Sequence, residues 1–82
     1  MTKVSVRFFA RYAELAGCSW SAVTVETPAT VADVIARVRE VFPGTSEFPP
    51  EPLAALNQRQ VKLDARVSDG DEVALLPPLA GG

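Results

Sequence analysis

The stretch TVADVIARVREVFPG, Thr30 to Gly44, decides the fold. Val31, Val34, Ile35, Val38, Val41 and Phe42 recur at helical spacing and make one apolar stripe, with Arg37, Arg39 and Glu40 turned away from it. Thr30 offers an N-cap hydroxyl, and Asp33 three residues on suits the positive end of the helix dipole. Pro43-Gly44 ends the helix. A helix with one apolar face needs a second layer to cover it.

The flanking sequence supplies that layer. Upstream, Lys3 to Phe9 alternates Val4, Val6 and Phe8 with Lys3, Ser5, Arg7 and Phe9, the period of a half-buried strand. Ala10 to Ala16 carries Tyr12 and Leu15 three apart and meets Gly17, which reads as a short helix with its stop. Trp20 to Glu26, with Val23, Thr24 and Val25, reads as a second strand paired with the first, with Trp20 partly buried at its start. Downstream, Gly44 to Pro52 contains Pro49, Pro50 and Pro52 and reads as an irregular surface loop. Leu53 to Asn57, Gln60 to Leu63 and Glu72 to Leu76 follow as three more short strands. The turn before the last, Ser68-Asp69-Gly70-Asp71, uses Gly70 for a positive φ, and its acids are read as a solvated turn rather than a metal site. The result is an α+β domain: a mixed five-stranded sheet around one main helix plus a short helix.

Its 82 residues allow one domain, taken here as residues 1–76, with residues 77–82 as a projecting tail. At 48% apolar and 22% charged residues the chain has the composition of a packed domain. A net charge of −2 and a pI near 4.9, with basic residues scattered, argue against nucleic-acid binding. No apolar run approaches a membrane span, and Met1 to Arg11 has no signal-peptide pattern. One cysteine, Cys18, makes no internal disulfide and reads as a small residue in the turn after the first helix; the expected location is cytoplasmic. With no histidine, the commonest general base and metal ligand are missing, and no metal site is expected. An enzyme acting on its own is not expected.

Function is therefore sought at the end of the chain. In Pro77-Pro78-Leu79-Ala80-Gly81-Gly82 two prolines remove backbone donors and two glycines add freedom. Extended at about 3.3 Å per residue, six residues reach roughly 20 Å, enough to thread into a neighbouring active site. Glycines lacking side chains suit a narrow tunnel, and a carboxylate on Gly82 is ionised and unreactive until a partner activates it, for instance by transfer to AMP. Beside the tail, Phe9 falls on the polar face of the first strand and Leu76 on the corresponding face of the last. Two readings stay open for them: an apolar patch that a partner covers, or a Phe9 covered by the short helix that follows the first strand.

Val6-Arg7-Phe8-Phe9-Ala10 with Glu14 and Gly17, Ala55-Leu56-Asn57, Asp69-Gly70-Asp71-Glu72-Val73, Pro77-Pro78 and Gly81-Gly82 together resemble the small subunit of molybdopterin synthase. That family is the MoaD type of ubiquitin-like β-grasp sulfur carrier, and the resemblance covers nearly the whole chain. It implies a non-catalytic sulfur-donating subunit of a heterotetrameric synthase. Gly82 would be adenylated by a ubiquitin-activating-like adenylyltransferase using ATP and Mg, then converted to a thiocarboxylate by a sulfur donor enzyme. The tail would enter the large catalytic subunit and deliver sulfur to cyclic pyranopterin monophosphate, while this chain itself binds no cofactor. Phe9 and Leu76 match positions of the family's subunit contact, whereas Gln60 stands where an apolar residue often contributes. Two other readings stay open: a ubiquitin-like modifier conjugated through Gly82, and the sulfur carrier of another pathway such as thiamine synthesis. A plain binding module with an incidental terminus is a third.

Overall fold

The computed structural model describes residues 1–77. Along the chain run β1 (Thr2–Phe8), α1 (Arg11–Ala16), β2 (Trp20–Val25), β3 (Ala29–Thr30), α2 (Val31–Val41), a 3-10 turn (Pro43–Glu47), β4 (Leu53–Leu56), β5 (Arg59–Val61), β6 (Arg66–Val67) and β7 (Glu72–Leu76). The main sheet has five strands in the order β2-β1-β7-β4-β5. β1 and β7 are parallel and every other neighbouring pair is antiparallel, so the sheet is mixed as expected.

One face of the sheet is covered by α2. Val4, Val6 and Phe8 of β1, Val23 and Val25 of β2, Val73 and Leu75 of β7, and Ala54 of β4 pack with Val31, Val34, Ile35 and Val38 of the helix. Removing such side chains from water stabilises by roughly 1.5–3 kcal/mol each, the main term holding a domain this small. The helix begins in a full capping box. The Asp33 backbone N–H donates to Thr30 Oγ1 at 3.4 Å, and the Thr30 N–H donates to the Asp33 carboxylate at 2.8 Å.

Four local expectations change. Val41, placed on the apolar stripe, is exposed; Phe42 turns inward instead and meets Phe8 edge-on, centroids 5.7 Å apart. Arg39, placed on the solvent side, is half-buried, and its guanidinium donates to the carbonyls of Thr45, Phe48 and Pro49. The segment after the helix is therefore no loose surface loop. It is tied to Arg39, and it carries Phe48 into the core, where its ring stacks on Tyr12 at 4.1 Å. Thr45, fully buried, donates its hydroxyl to the Phe42 carbonyl at 2.6 Å and so meets an acceptor at the helix end. Gly44 lies so close to α1 that a Cβ there would fall on the carbonyl oxygen of Leu15.

The fourth change is a second, two-stranded sheet of β3 and β6. Its pairs are Ala29 with Val67 and Thr30 with Arg66. Just beyond them the Val31 and Ala32 N–H groups donate to the carbonyls of Ala65 and Leu63, each at 2.9 Å. Two free donors at the start of α2 are thereby satisfied by the chain that leads towards β7.

Candidate docking face and tail

The open face of the sheet is set by register. Phe8 pairs with Leu75 across the parallel β1–β7 pair, and both point into the core. One residue further along each strand, Phe9 and Leu76 therefore emerge together on the opposite face. Phe9 is 37% exposed and Leu76 half-buried. Ala10 follows Phe9 with φ 50 and ψ −125, turning the chain off the sheet into α1. A non-glycine residue held there carries of order 1–3 kcal/mol of backbone strain. The Tyr12 N–H then donates to the Phe9 carbonyl at 3.0 Å, which fixes the Phe9 backbone at the mouth of the helix.

Leu53, which the sequence reading left out of the patch, lies directly opposite Leu76 in the β4–β7 pair and is 44% exposed. Behind this row Ala74 pairs with both Arg7 and Ala55, and Ala55 pairs with Gln60. Ala55 and Ala74 are each 8% exposed, so the floor between the larger side chains is apolar backbone and methyl groups. The Arg7 guanidinium carbon lies 5.2 Å from the centre of the Phe9 ring, within cation–π range, and holds that ring at the end of β1. Trp20, expected to be partly buried, is 56% exposed. As the first residue of the edge strand β2, on the open face, it has no layer above it. Alternation along β4 could have flagged Leu53; its juxtaposition with Leu76 comes only from the sheet order.

β7 ends in this patch at Leu76, and Pro77, half-buried, is the last described residue. Pro78, Leu79, Ala80, Gly81 and Gly82, the tail on which the sequence reading placed the chemistry, lie outside the described residues.

The other singled-out groups have structural jobs. Gly17 caps α1 in the left-handed region with φ 83, and Gly70 turns at φ 87, as read from the sequence. Asp69 accepts the Lys3 N–H at 2.8 Å. Asp71 accepts the Ser68 N–H at 2.7 Å and the Asn57 amide at 3.1 Å, so these acids anchor the turn before β7 to β1 and β4. Cys18 is partly buried against the core. Among the described residues no cluster of three or more His, Cys, Asp or Glu side chains could hold a metal, and no helix is long and apolar enough to cross a membrane. Chemically, this face presents apolar side chains beside one guanidinium.

Known proteins share both the sequence and the fold. The sulfur carrier subunit of molybdopterin synthase from Chlamydomonas reinhardtii is 32% identical over 98% of this chain and 99% of its own length. The subunit of the same name from Escherichia coli is 34% identical over 96% and 99%. The solved structure of the putative molybdopterin converting factor subunit 1 of Pyrococcus furiosus superposes with a TM-score of 0.86 at 30% identity, covering 96% of this chain and all of that one. Small archaeal modifier protein 1 of H. volcanii gives 0.86 at 26% identity, covering 96% and 100%. One chain of the complex of subunits 1 and 2 of the molybdopterin-converting factor from Helicobacter pylori gives 0.70 at 26%, covering 99% and 100%. A sequence model of the ThiS family matches residues 6–82, and with this ubiquitin-like β-grasp fold beneath it the chain belongs to that family.

Proposed function

We propose that this chain is the sulfur carrier subunit of a molybdopterin synthase, acting through Gly82. The observation that carries the reading is the convergence of Phe9, Leu76 and Leu53 on one exposed corner of the sheet, at the point where β7 hands the chain on to the tail. A partner that covers this corner receives the tail at the same time. The relatives, matched over almost their whole length, support sulfur transfer as the use of that arrangement. In the proposed cycle an adenylyltransferase using ATP and Mg joins AMP to the Gly82 carboxylate with release of pyrophosphate. A sulfur donor then displaces AMP to leave a thiocarboxylate. The tail, running through Pro77, Pro78, Leu79, Ala80 and Gly81, enters the large catalytic subunit, where the sulfur passes to cyclic pyranopterin monophosphate. The catalytic side chains belong to that partner.

Intact mass spectrometry before and after incubation with ATP, Mg, a sulfur source and the cognate activating enzyme tests this. A gain equal to exchange of one oxygen for one sulfur, absent after deletion of Gly82, is expected. No gain with an enzyme competent on another carrier overturns the reading. The likeness to an archaeal modifier supports a second use of the same activated tail, conjugation to lysines. Covalent ladders on target proteins, in place of a thiocarboxylate, would establish that one.

A further inference from the structure

We infer that the docking face continues past Phe9 to the β2 edge, and that Trp20 with Arg7 is a specificity-determining part of the contact with the large synthase subunit. This rests on the function proposed above and adds to it a part of the surface, and a chemistry for its partner, that the tail and the Phe9 corner do not define.

The register makes the surface continuous. The Phe8 N–H donates to the Ser19 carbonyl at 3.0 Å, so Phe8 and Ser19 form a hydrogen-bonded pair of the β1–β2 ladder. Arg7 and Trp20, the next pair, consequently occupy a non-hydrogen-bonded position, where opposed side chains approach most closely. Arg7 in turn lies over the Phe9 ring. Trp20, Arg7, Phe9, Leu76 and Leu53 thus follow one another across β2, β1, β7 and β4 on one face. On its other side Trp20 walls a shallow depression floored by Ser5 and Ala22 and rimmed by Lys3 and the Asp69-Gly70 turn, room for one side chain from a partner.

The apolar weight of the face is displaced toward β2. Its β5 flank ends in Gln60, polar and exposed, whereas its β2 flank ends in the chain's sole tryptophan, more than half in water. Tryptophan and arginine are the residue types that dominate binding energy when a partner desolvates them. Arg7 is exposed and, among the described residues, makes no ion pair, so its charge stands at the surface over the Phe9 ring, opposite Trp20 in the β1–β2 pair. The complementary surface is an apolar slot for the indole, bordered by a carboxylate that meets the guanidinium.

The test is binding of the full-length carrier to its cognate large subunit by titration calorimetry, for the wild type and for Trp20→Ala, Trp20→Phe, Arg7→Gln and Phe9→Ala. The sole tryptophan is also replaced by 5-fluorotryptophan, so that its 19F resonance can be followed in the unmutated carrier. Trp20→Ala is expected to weaken binding about tenfold or more, with Trp20→Phe in between. Arg7→Gln should weaken binding and flatten its salt dependence, and the 19F signal should shift on complex formation. If Phe9→Ala weakens binding while Trp20→Ala stays within about twofold and the 19F signal does not move, the inference is wrong and the proposed function stands. If no complex forms, or Phe9→Ala and Trp20→Ala are both silent, the reading of the whole face falls, and this inference with it.

Discussion

Replacing Tyr12 by phenylalanine should make this protein more stable. The Tyr12 side chain is 4% exposed, its ring stacks on Phe48 at 4.1 Å, and its hydroxyl is buried without a hydrogen-bond partner among the described residues. Arg39 is nearby, but its N–H groups are directed at the carbonyls of Thr45, Phe48 and Pro49. A buried hydroxyl left unpaired costs about 1–3 kcal/mol relative to its hydrated state in the unfolded chain. Tyr12→Phe keeps the ring stack and removes the hydroxyl. Taking the low end, because neighbouring groups relax, the variant gains about 1 kcal/mol, which for a domain of this size raises Tm by about 4–8 °C. Urea denaturation followed by circular dichroism should show a higher midpoint with an unchanged m-value. The effect also depends on pH. Burial pushes the Tyr12 hydroxyl above its ordinary value of 10.0, partly opposed by the Arg39 charge. Between the unfolded and the folded pKa the unfolded chain sheds a proton that the folded chain keeps, so stability falls as pH rises through that window. The phenylalanine variant lacks this term, and its advantage should widen above pH 10.0. Because Tyr12 is the only tyrosine, phenolate absorbance titrates it directly. A lower Tm for Tyr12→Phe at neutral pH would mean that the hydroxyl is hydrogen-bonded, and identical alkaline slopes for the two proteins would mean that burial does not raise its pKa; either result refutes the argument.

Two further substitutions probe how the helices are seated. Gly44→Ala would drive a methyl group onto the Leu15 carbonyl and force the 3-10 turn away from α1, at a cost of about 1–3 kcal/mol; thermal denaturation reads it as a lower Tm. Asp33→Ala removes half of the capping box and should cost about 1 kcal/mol in urea unfolding, with a Thr30→Ala, Asp33→Ala double variant losing less than the sum of the single losses because the two residues act as a unit.

The main architecture was legible because it rests on periodicity and on strong stop signals. The Val-rich alternation of β1, the stripe of α2, the Thr30–Asp33 cap and the glycines at 17 and 70 each dictate a local conformation that tertiary contacts have no reason to override. What escaped depends on partners distant in sequence. Proline spacing suggested a featureless loop after α2, yet Arg39 supplies donors for its carbonyls and Phe48 fills a gap between Tyr12 and Phe8, neither visible from local pattern. β3 and β6 have two residues each, too short for any period to register. In the candidate site, alternation in two strands was enough to pair Phe9 with Leu76. Leu53 and Trp20 joined them only through the order of strands in the sheet. For Trp20 the general tendency of large aromatic residues toward burial was defeated by its place on an edge strand with nothing above it.

The position of β7 links the making of this protein to its use. Among the described residues it is the last strand in sequence, and it is the middle strand of the sheet, flanked by β1 and β4. A nascent chain released before Glu72 would hold two halves of a sheet with no strand to join them, β1–β2 on one side and β4–β5 on the other, and isolated two-stranded hairpins are marginal in water. Closing the sheet must wait for pairing across nearly the whole length of the chain, the kind of contact that slows folding. The segment that follows directly is the one proposed to carry the chemistry. A chain released before Glu72 therefore lacks the closed sheet as well as the end proposed to carry sulfur, and offers a partner no well-formed docking face.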